Sequence, residues 1–137
     1  MILIDTSVWI FALGPKPLEA LRNRVVALVL ENQAATTPPV LFEILRGART
    51  LQEAETLEHR LRSLHVLPFL EADWSEAAEW GARLARKGVS AKSMDILIAF
   101  KTLQNGLTLL HADRDFDRLA QHSDLKVESW AGRIQAR

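Results

Sequence analysis

The chain contains no cysteine, which excludes thiolate nucleophiles, disulfides and cysteine-ligated metal centres. Its four histidines, His59, His65, His111 and His122, include no pair at i, i+4 spacing, so no helical zinc site is signalled either. Apolar runs such as Val25 to Leu30 and Ile96 to Phe100 fall far short of the roughly 20 residues of a membrane span. The opening Met-Ile-Leu-Ile-Asp has neither the basic region nor the apolar length of a secretory signal, so a cytoplasmic protein with no membrane partner is expected. Net charge is zero, without the overall basic excess that marks many nucleic-acid binders. Repeats, linkers and low-complexity segments are missing too.

What is present is ordinary globular composition, 48% apolar and 25% charged over 137 residues, which argues against disorder. A chain of this length forms one domain, 1–137, and removes roughly two-thirds of its unfolded surface from water. Charge is unevenly spread: Arg83, Arg86, Lys87, Lys92 and Lys101 face the single acid Asp95 between residues 83 and 101. On composition alone that stretch is a solvated basic helix face.

Periodicity predicts a short buried strand at Ile2 to Ile4, a short helix through Trp9 to Leu13 and an apolar helix over Leu18 to Leu30. A second strand follows at Ala34 to Thr37, then a helix opened by Pro38-Pro39 and another over Leu51 to Leu64. A short strand, His65 to Pro68, precedes a helix with Asp73 to Glu76 as N-cap candidates and Trp74, Ala77, Ala78, Gly81, Leu84 and Ala85 on its buried side. That helix stops at Lys87-Gly88, and the next runs from Ser93 to Asn105-Gly106. Leu107 to Leu110 and Leu125 to Val127 complete the strands. Strands alternating with helices at these spacings imply an α/β domain with a mainly parallel sheet, in which ligands bind beyond the strands' carboxyl ends, where strand order reverses.

Four acids lie in stretches that otherwise favour burial: Asp5 after the first strand, Glu43 and Asp95 inside apolar helices, and Asp113 after a late strand. Ionised carboxylates in such surroundings cost several kcal/mol unless a cation or hydrogen bonds compensate. If the first and fourth strands are neighbours, Asp5 and Asp113 meet at one rim, and the helices carrying Glu43 and Asp95 lean over it. Each acid alone has a plainer reading, as an N-cap, an Asx-turn residue or a solvated helix position. Gly47 shares the Glu43 face and would leave room beside that carboxylate.

Asp5-Thr6-Ser7, Glu43 followed by Gly47, Asp95 followed by Ile98-Ala99 and Gly106, and Leu110-His111-Ala112-Asp113-Arg114-Asp115-Phe116 resemble, in order and spacing, the motif series of PIN-domain ribonucleases, and most of all the VapC toxins of toxin–antitoxin pairs. The resemblance spans Met1 to about Val127. It implies a three-layer α/β/α sandwich around a parallel sheet, a Mg²⁺- or Mn²⁺-dependent endoribonuclease that hydrolyses RNA with metal-activated water, a homodimer, and a VapB-like antitoxin that covers the site. Carried over, it assigns catalysis to Asp5, Glu43, Asp95 and Asp113 and metal binding to Asp5, Asp95, Asp113 and Asp115. Thr6 and Ser7 match the polar pair beside the first acid; Arg83, Arg86, Lys87 and Lys92 would guide the phosphate backbone. His111 departs from the pattern, because the family usually has a small hydroxyl residue there, so His111 is expected to tune the site.

Two other readings compete. A phosphoacceptor domain would want an acidic pair after the first strand, where this chain has Asp5-Thr6-Ser7, and an Asp where it has Thr36-Thr37. A non-catalytic module would use the same acids for a structural cation and the Leu18 to Leu30 helix for dimerisation.

Overall fold

The structure, a computed structural model, describes residues 1–135. Among them the strands are β1 (Ile2–Ile4), β2 (Ala34–Thr36), β3 (His65–Val66), β4 (Thr108–His111) and β5 (Lys126–Ser129). They form one sheet in the order β3-β2-β1-β4-β5, with every pairing parallel. The helices are α1 (Thr6–Leu13), α2 (Glu19–Leu30), α3 (Pro38–Arg46), α4 (Leu51–Arg62), α5 (Glu71–Arg86), α6 (Ser93–Gln104), α7 (Arg114–Gln121) and α8 (Ala131–Gln135).

Successive strand residues point to opposite faces of a sheet. Leu3 and Ile4 are both fully buried, as are Leu109 and Leu110, so helices cover the sheet on both sides, as the expected α/β/α sandwich requires. Strand order reverses between β1 and β4, where Ile4 pairs with Leu110. The rim beyond these two strands is therefore the crevice where such sheets bind ligands.

Local chemistry sets the element ends. Asp5 caps α1 by accepting from Ser7 N–H, and Pro38 and Pro39 occupy the first turn of α3. Gly88 and Gly106 take φ of +84° and +65° just past α5 and α6, left-handed values that glycine adopts without a Cβ penalty. At Gly81 an added Cβ would stand 3.1 Å from Ile96 Cγ2, so the missing side chain lets α5 and α6 approach closely.

Two expectations require correction. The fifth helix starts at Glu71, with Leu70 at its N-cap and Asp73 in the first turn, accepting from Leu70 N–H at 2.7 Å. Its buried residues are Asp73, Ala77 and Leu84, while Trp74 is half exposed and Ala78 and Ala85 face solvent. The reason is Lys101. Read as part of a basic surface, it is instead 2% exposed and pairs with Asp73 at 2.7 Å beneath that helix. Gln104 donates to the other Asp73 oxygen, and the Lys101 ammonium stands 4.4 Å from the Phe69 ring centroid. A buried cation demands a buried acid, and the helix rotates to supply one.

Lys101, with Gln104 and Leu70 N–H, holds the Asp73 carboxyl down at about 2. Its folded value lies below the ordinary one, so the pair contributes stability above about pH 4 that is lost as pH falls toward 2. Lys101→Met should lower the melting temperature at pH 7 by several degrees because it leaves Asp73 without its cation. Adding Asp73→Leu should recover part of that loss, because a hydrophobic pair of similar volume replaces a buried ion pair at little cost. Thermal melts of the two variants check this.

Candidate active site

Asp5 leaves β1 at the switch point, its N–H donating to Leu110 O of the neighbouring strand at 3.0 Å. Its carboxylate is 4% exposed and accepts Ser7 N–H at 2.9 Å and Ser7 Oγ–H at 2.6 Å. Ser7 Oγ in turn accepts Ala112 N–H at 3.0 Å, so one hydroxyl joins the ends of β1 and β4. The adjacent Thr6 donates its hydroxyl to Glu43 Oε1 at 2.8 Å, tying α1 to α3. The two hydroxyl residues predicted beside the first acid thus each orient one carboxylate.

Asp113 caps α7, its Oδ1 accepting Asp115 N–H at 2.9 Å. Asp95 enters from the first turn of α6. One oxygen from each of Asp95, Asp113 and Asp115 lies within 4.8 Å of the others. Asp95 also feels the charges of Asp5 and Glu43, so the five predicted acids do gather at one place.

Burial, then the charges of Asp5, Asp113, Glu43 and Asp115, pushes the Asp95 carboxyl up to about 7. Burial raises Asp5 to about 6 against the opposing hydrogen bonds from Ser7. Among the described residues no donor reaches the Asp95 carboxylate, whose shift comes from burial and like charge alone. Three oxygen donors without a counter-charge suit a hard divalent cation such as Mg²⁺ or Mn²⁺, so the side chains present fit the expected metal.

The four surface cations predicted to guide RNA lie at the end of α5 and the start of α6. Arg83 and Arg86 end α5, Lys87 caps it, Lys92 precedes α6, and all four are exposed. None forms an ion pair among the described residues. Gly47 is the C-cap of α3, and a Cβ there would meet only ordinary contacts with Ile44 O at 3.6 Å and Glu43 O at 3.7 Å. Its lack of a side chain is therefore not what spaces the Glu43 carboxylate.

His111, the departure from the motif, is fully buried and kept neutral by burial, which lowers its pKa against the pull of Asp117 and Asp113. Its Nδ1 accepts Asp113 N–H at 3.2 Å. Its Nε2 stands 3.1 Å from Asp117 Oδ1, off the line of a good hydrogen bond. Sequence reasoning missed Asp117, and only its i+4 position after Asp113 on a helix could have signalled it.

The raised Asp95 value fixes the sign of its effect on the metal-free protein. Its stabilising contribution is full below about pH 4 and is lost as pH rises through about 7. In EDTA the protein should therefore melt higher at pH 5.5 than at pH 8 by this group's contribution, and Asp95→Asn should flatten that difference. Solvent at the open rim reduces the repulsion to on the order of 1 kcal/mol, so at pH 8 the variant should melt about 2 to 6 °C above the parent. Equal or lower melting of Asp95→Asn at pH 8 would contradict the repulsion.

Residues 2–121 match the family model of the PIN domain. The chain is 32% identical over 133 residues to VapC ribonuclease Mb1587 of Mycobacterium bovis and to ribonuclease VapC11 of Mycobacterium tuberculosis, covering 95% of this chain and 99% of each relative. Its fold is similar to that of DNA-bound VapBC from Salmonella typhimurium, with a TM-score of 0.76 and 25% identity over 94% of this chain and 97% of that one. VapBC2 from Rickettsia felis, bound to a promoter DNA fragment, also superposes at 0.76, with 24% identity over 95% of this chain and 99% of that one. With the family model spanning β1 through α7 and the VapC relatives aligned along nearly their whole length, this chain belongs to the PIN-domain family and to its VapC branch.

Proposed function

We propose that this protein is a divalent-metal-dependent endoribonuclease and the toxin of a toxin–antitoxin pair. One observation carries the reading: in a chain of the VapC branch, Asp95, Asp113 and Asp115 place an oxygen each within 4.8 Å of one another beside Asp5 and Glu43, and among the described residues no cation counters the Asp95 carboxylate. Asp95, Asp113 and Asp115 would hold the cation, Mg²⁺ or Mn²⁺, with Asp5 as a further ligand. Such an ion, once bound, neutralises phosphodiester charge and acidifies a water near it. Ser7 keeps Asp5 in one rotamer, and Thr6 does the same for Glu43, so the carboxylates are oriented before substrate arrives. Because the raised Asp95 pKa means a bound proton, metal affinity should strengthen between pH 6 and pH 8. Arg83, Arg86, Lys87 and Lys92 are exposed and free to meet a phosphate backbone.

A groove of about 840 Å³ opens beside Glu43, lined by Thr6, Trp9, Leu13, Val29, Ile44 and Leu57 among others. Ile10 and Leu13 are each 61% exposed and Val29 is 43% exposed, while the buried Trp9 indole N–H has no partner. An amphipathic segment of an antitoxin suits such a groove, its apolar side chains filling the floor and an acceptor meeting Trp9. The broad apolar stripe of α2 buries Leu21, Val25 and Leu28 and leaves Val26, Val29 and Leu30 at the surface. It thus has apolar surface to offer a second protein, an antitoxin or another copy of this chain in the expected homodimer. No helix among the described residues is long and apolar enough to cross a membrane.

The purified protein should cleave RNA with Mg²⁺ or Mn²⁺ and lose activity in EDTA. Asp5→Asn or Asp113→Asn should reduce cleavage by orders of magnitude with a native-like circular dichroism spectrum. Equal cleavage in EDTA would overturn the metal mechanism, and a folded, metal-binding protein inert toward RNA would favour the non-catalytic module. For the groove, Leu13→Glu should keep cleavage and toxicity in the host yet escape neutralisation by the co-expressed partner. Full neutralisation of that variant would put the antitoxin elsewhere.

A further inference from the structure

A polar chain runs from the β5 edge to the late aspartates. Ser129 Oγ–H donates to Asp117 Oδ2 at 3.0 Å, Asp117 Oδ1 lies 3.1 Å from His111 Nε2, and His111 Nδ1 accepts Asp113 N–H at 3.2 Å. The ring between them is fully buried, with its centroid 5.3 Å from that of Phe116. A backbone N–H can only donate, so Nδ1 is bare and the proton of the neutral ring sits on Nε2, facing Asp117. The same turn is fastened on its other side by Asp115 N–H donating to Asp113 Oδ1 at 2.9 Å. The β4 end is held as well, by Trp130 N–H on His111 O at 2.8 Å.

We propose that Asp117 is a positioning residue for the metal centre: its carboxylate, 3.1 Å from His111 Nε2 though off the hydrogen-bond line, holds the ring electrostatically in the rotation that presents Nδ1 to the Asp113 N–H, and the ring sets the Asp113 backbone from which both late carboxylates depart. The inference rests on the metal-site reading above. A hydroxyl at position 111 could meet the Asp113 N–H but would offer nothing to Asp117, so the carboxylate and the imidazole work as a pair in this chain. Groups bonded directly to metal ligands change metal affinity by about 10 to 100-fold, and Asp117, acting through the ring that holds a ligand's backbone, belongs at the lower end of that range.

The test titrates Mn²⁺ into metal-free parent, His111→Leu, His111→Asn, Asp117→Ala and Asp124→Asn by calorimetry at pH 7, with melting curves alongside. Nitrogen NMR of the parent ring reads the tautomer directly. The parent should show a protonated Nε2 and a bare Nδ1. His111→Leu should bind Mn²⁺ at least about tenfold more weakly, and His111→Asn, which keeps an acceptor where Nδ1 was but loses the group facing Asp117, should fall between His111→Leu and the parent. Asp117 is 34% exposed, so Asp117→Ala should fold and carry the test even if His111→Leu does not, with affinity about tenfold lower. Asp124→Asn removes the same charge from the exposed loop before β5 and should leave affinity unchanged. A protonated Nδ1 overturns the inference. So does unchanged Mn²⁺ affinity in Asp117→Ala, or an equal loss in Asp124→Asn, which would mean bulk charge. A parent that binds no Mn²⁺ overturns the metal site itself and this inference with it, whereas binding that is merely insensitive to Asp117 overturns this inference alone.

Discussion

Parallel pairing of β1 with β4 positions everything at the site, because it sets the ends of two strands side by side at the centre of the sheet. Each strand ends in a residue that turns into a helix, Asp5 into α1 and Asp113 into α7. One side chain, Ser7, spans the junction, donating to Asp5 and accepting from Ala112. Were β4 to slip by one residue, its apolar set would change faces, and Ser7 would lose its acceptor role. The register that buries Leu109 and Leu110 is the one that aligns the acids.

The cluster so formed opposes folding. Asp5 and Asp95 are pushed up to about 6 and about 7 chiefly by burial, and stability for the unfavourable site comes from elsewhere. Leu3, Ile4, Val8, Leu21, Val40, Ile98, Leu109, Leu110, Phe116 and Leu119 are each fully buried. At roughly 1.5 to 3 kcal/mol per large apolar side chain removed from water, this core outweighs the repulsion of a few partly solvated carboxylates. Local strain at a functional site sustained by surrounding structure is a recurring pattern.

Charge is distributed by the fold to serve two separate purposes. Lys101 is drawn inward, where Asp73, Gln104 and the Phe69 ring enclose its ammonium, and Arg24 pairs with Glu128 across α2 and β5 at 2.8 Å. These contacts fasten elements to one another. Arg83, Arg86, Lys87 and Lys92 remain at the surface, so a chain of zero net charge still presents cations on the elements flanking Asp95. Net charge is a sum over the chain, whereas an approaching polyanion meets the local field.

By itself the sequence determined the α/β class, the element order and the identity of the acids. Hydrophobic period, proline and glycine punctuation and carboxylates interrupting apolar runs are local signals, carried by neighbours in the chain. Asp5 at a strand end and Asp95 between Met94 and the apolar run Ile96 to Phe100 are legible for that reason. Only the tertiary structure decided that Lys101 is interior and Trp74 half exposed, because a buried cation and its acid lie 28 residues apart and no local pattern links them. It alone joined Thr6 to Glu43 and His111 to Asp117. It also brought an oxygen of Asp95 within 4.8 Å of those of Asp113 and Asp115, since distances between side chains on different elements depend on how whole helices pack against the sheet.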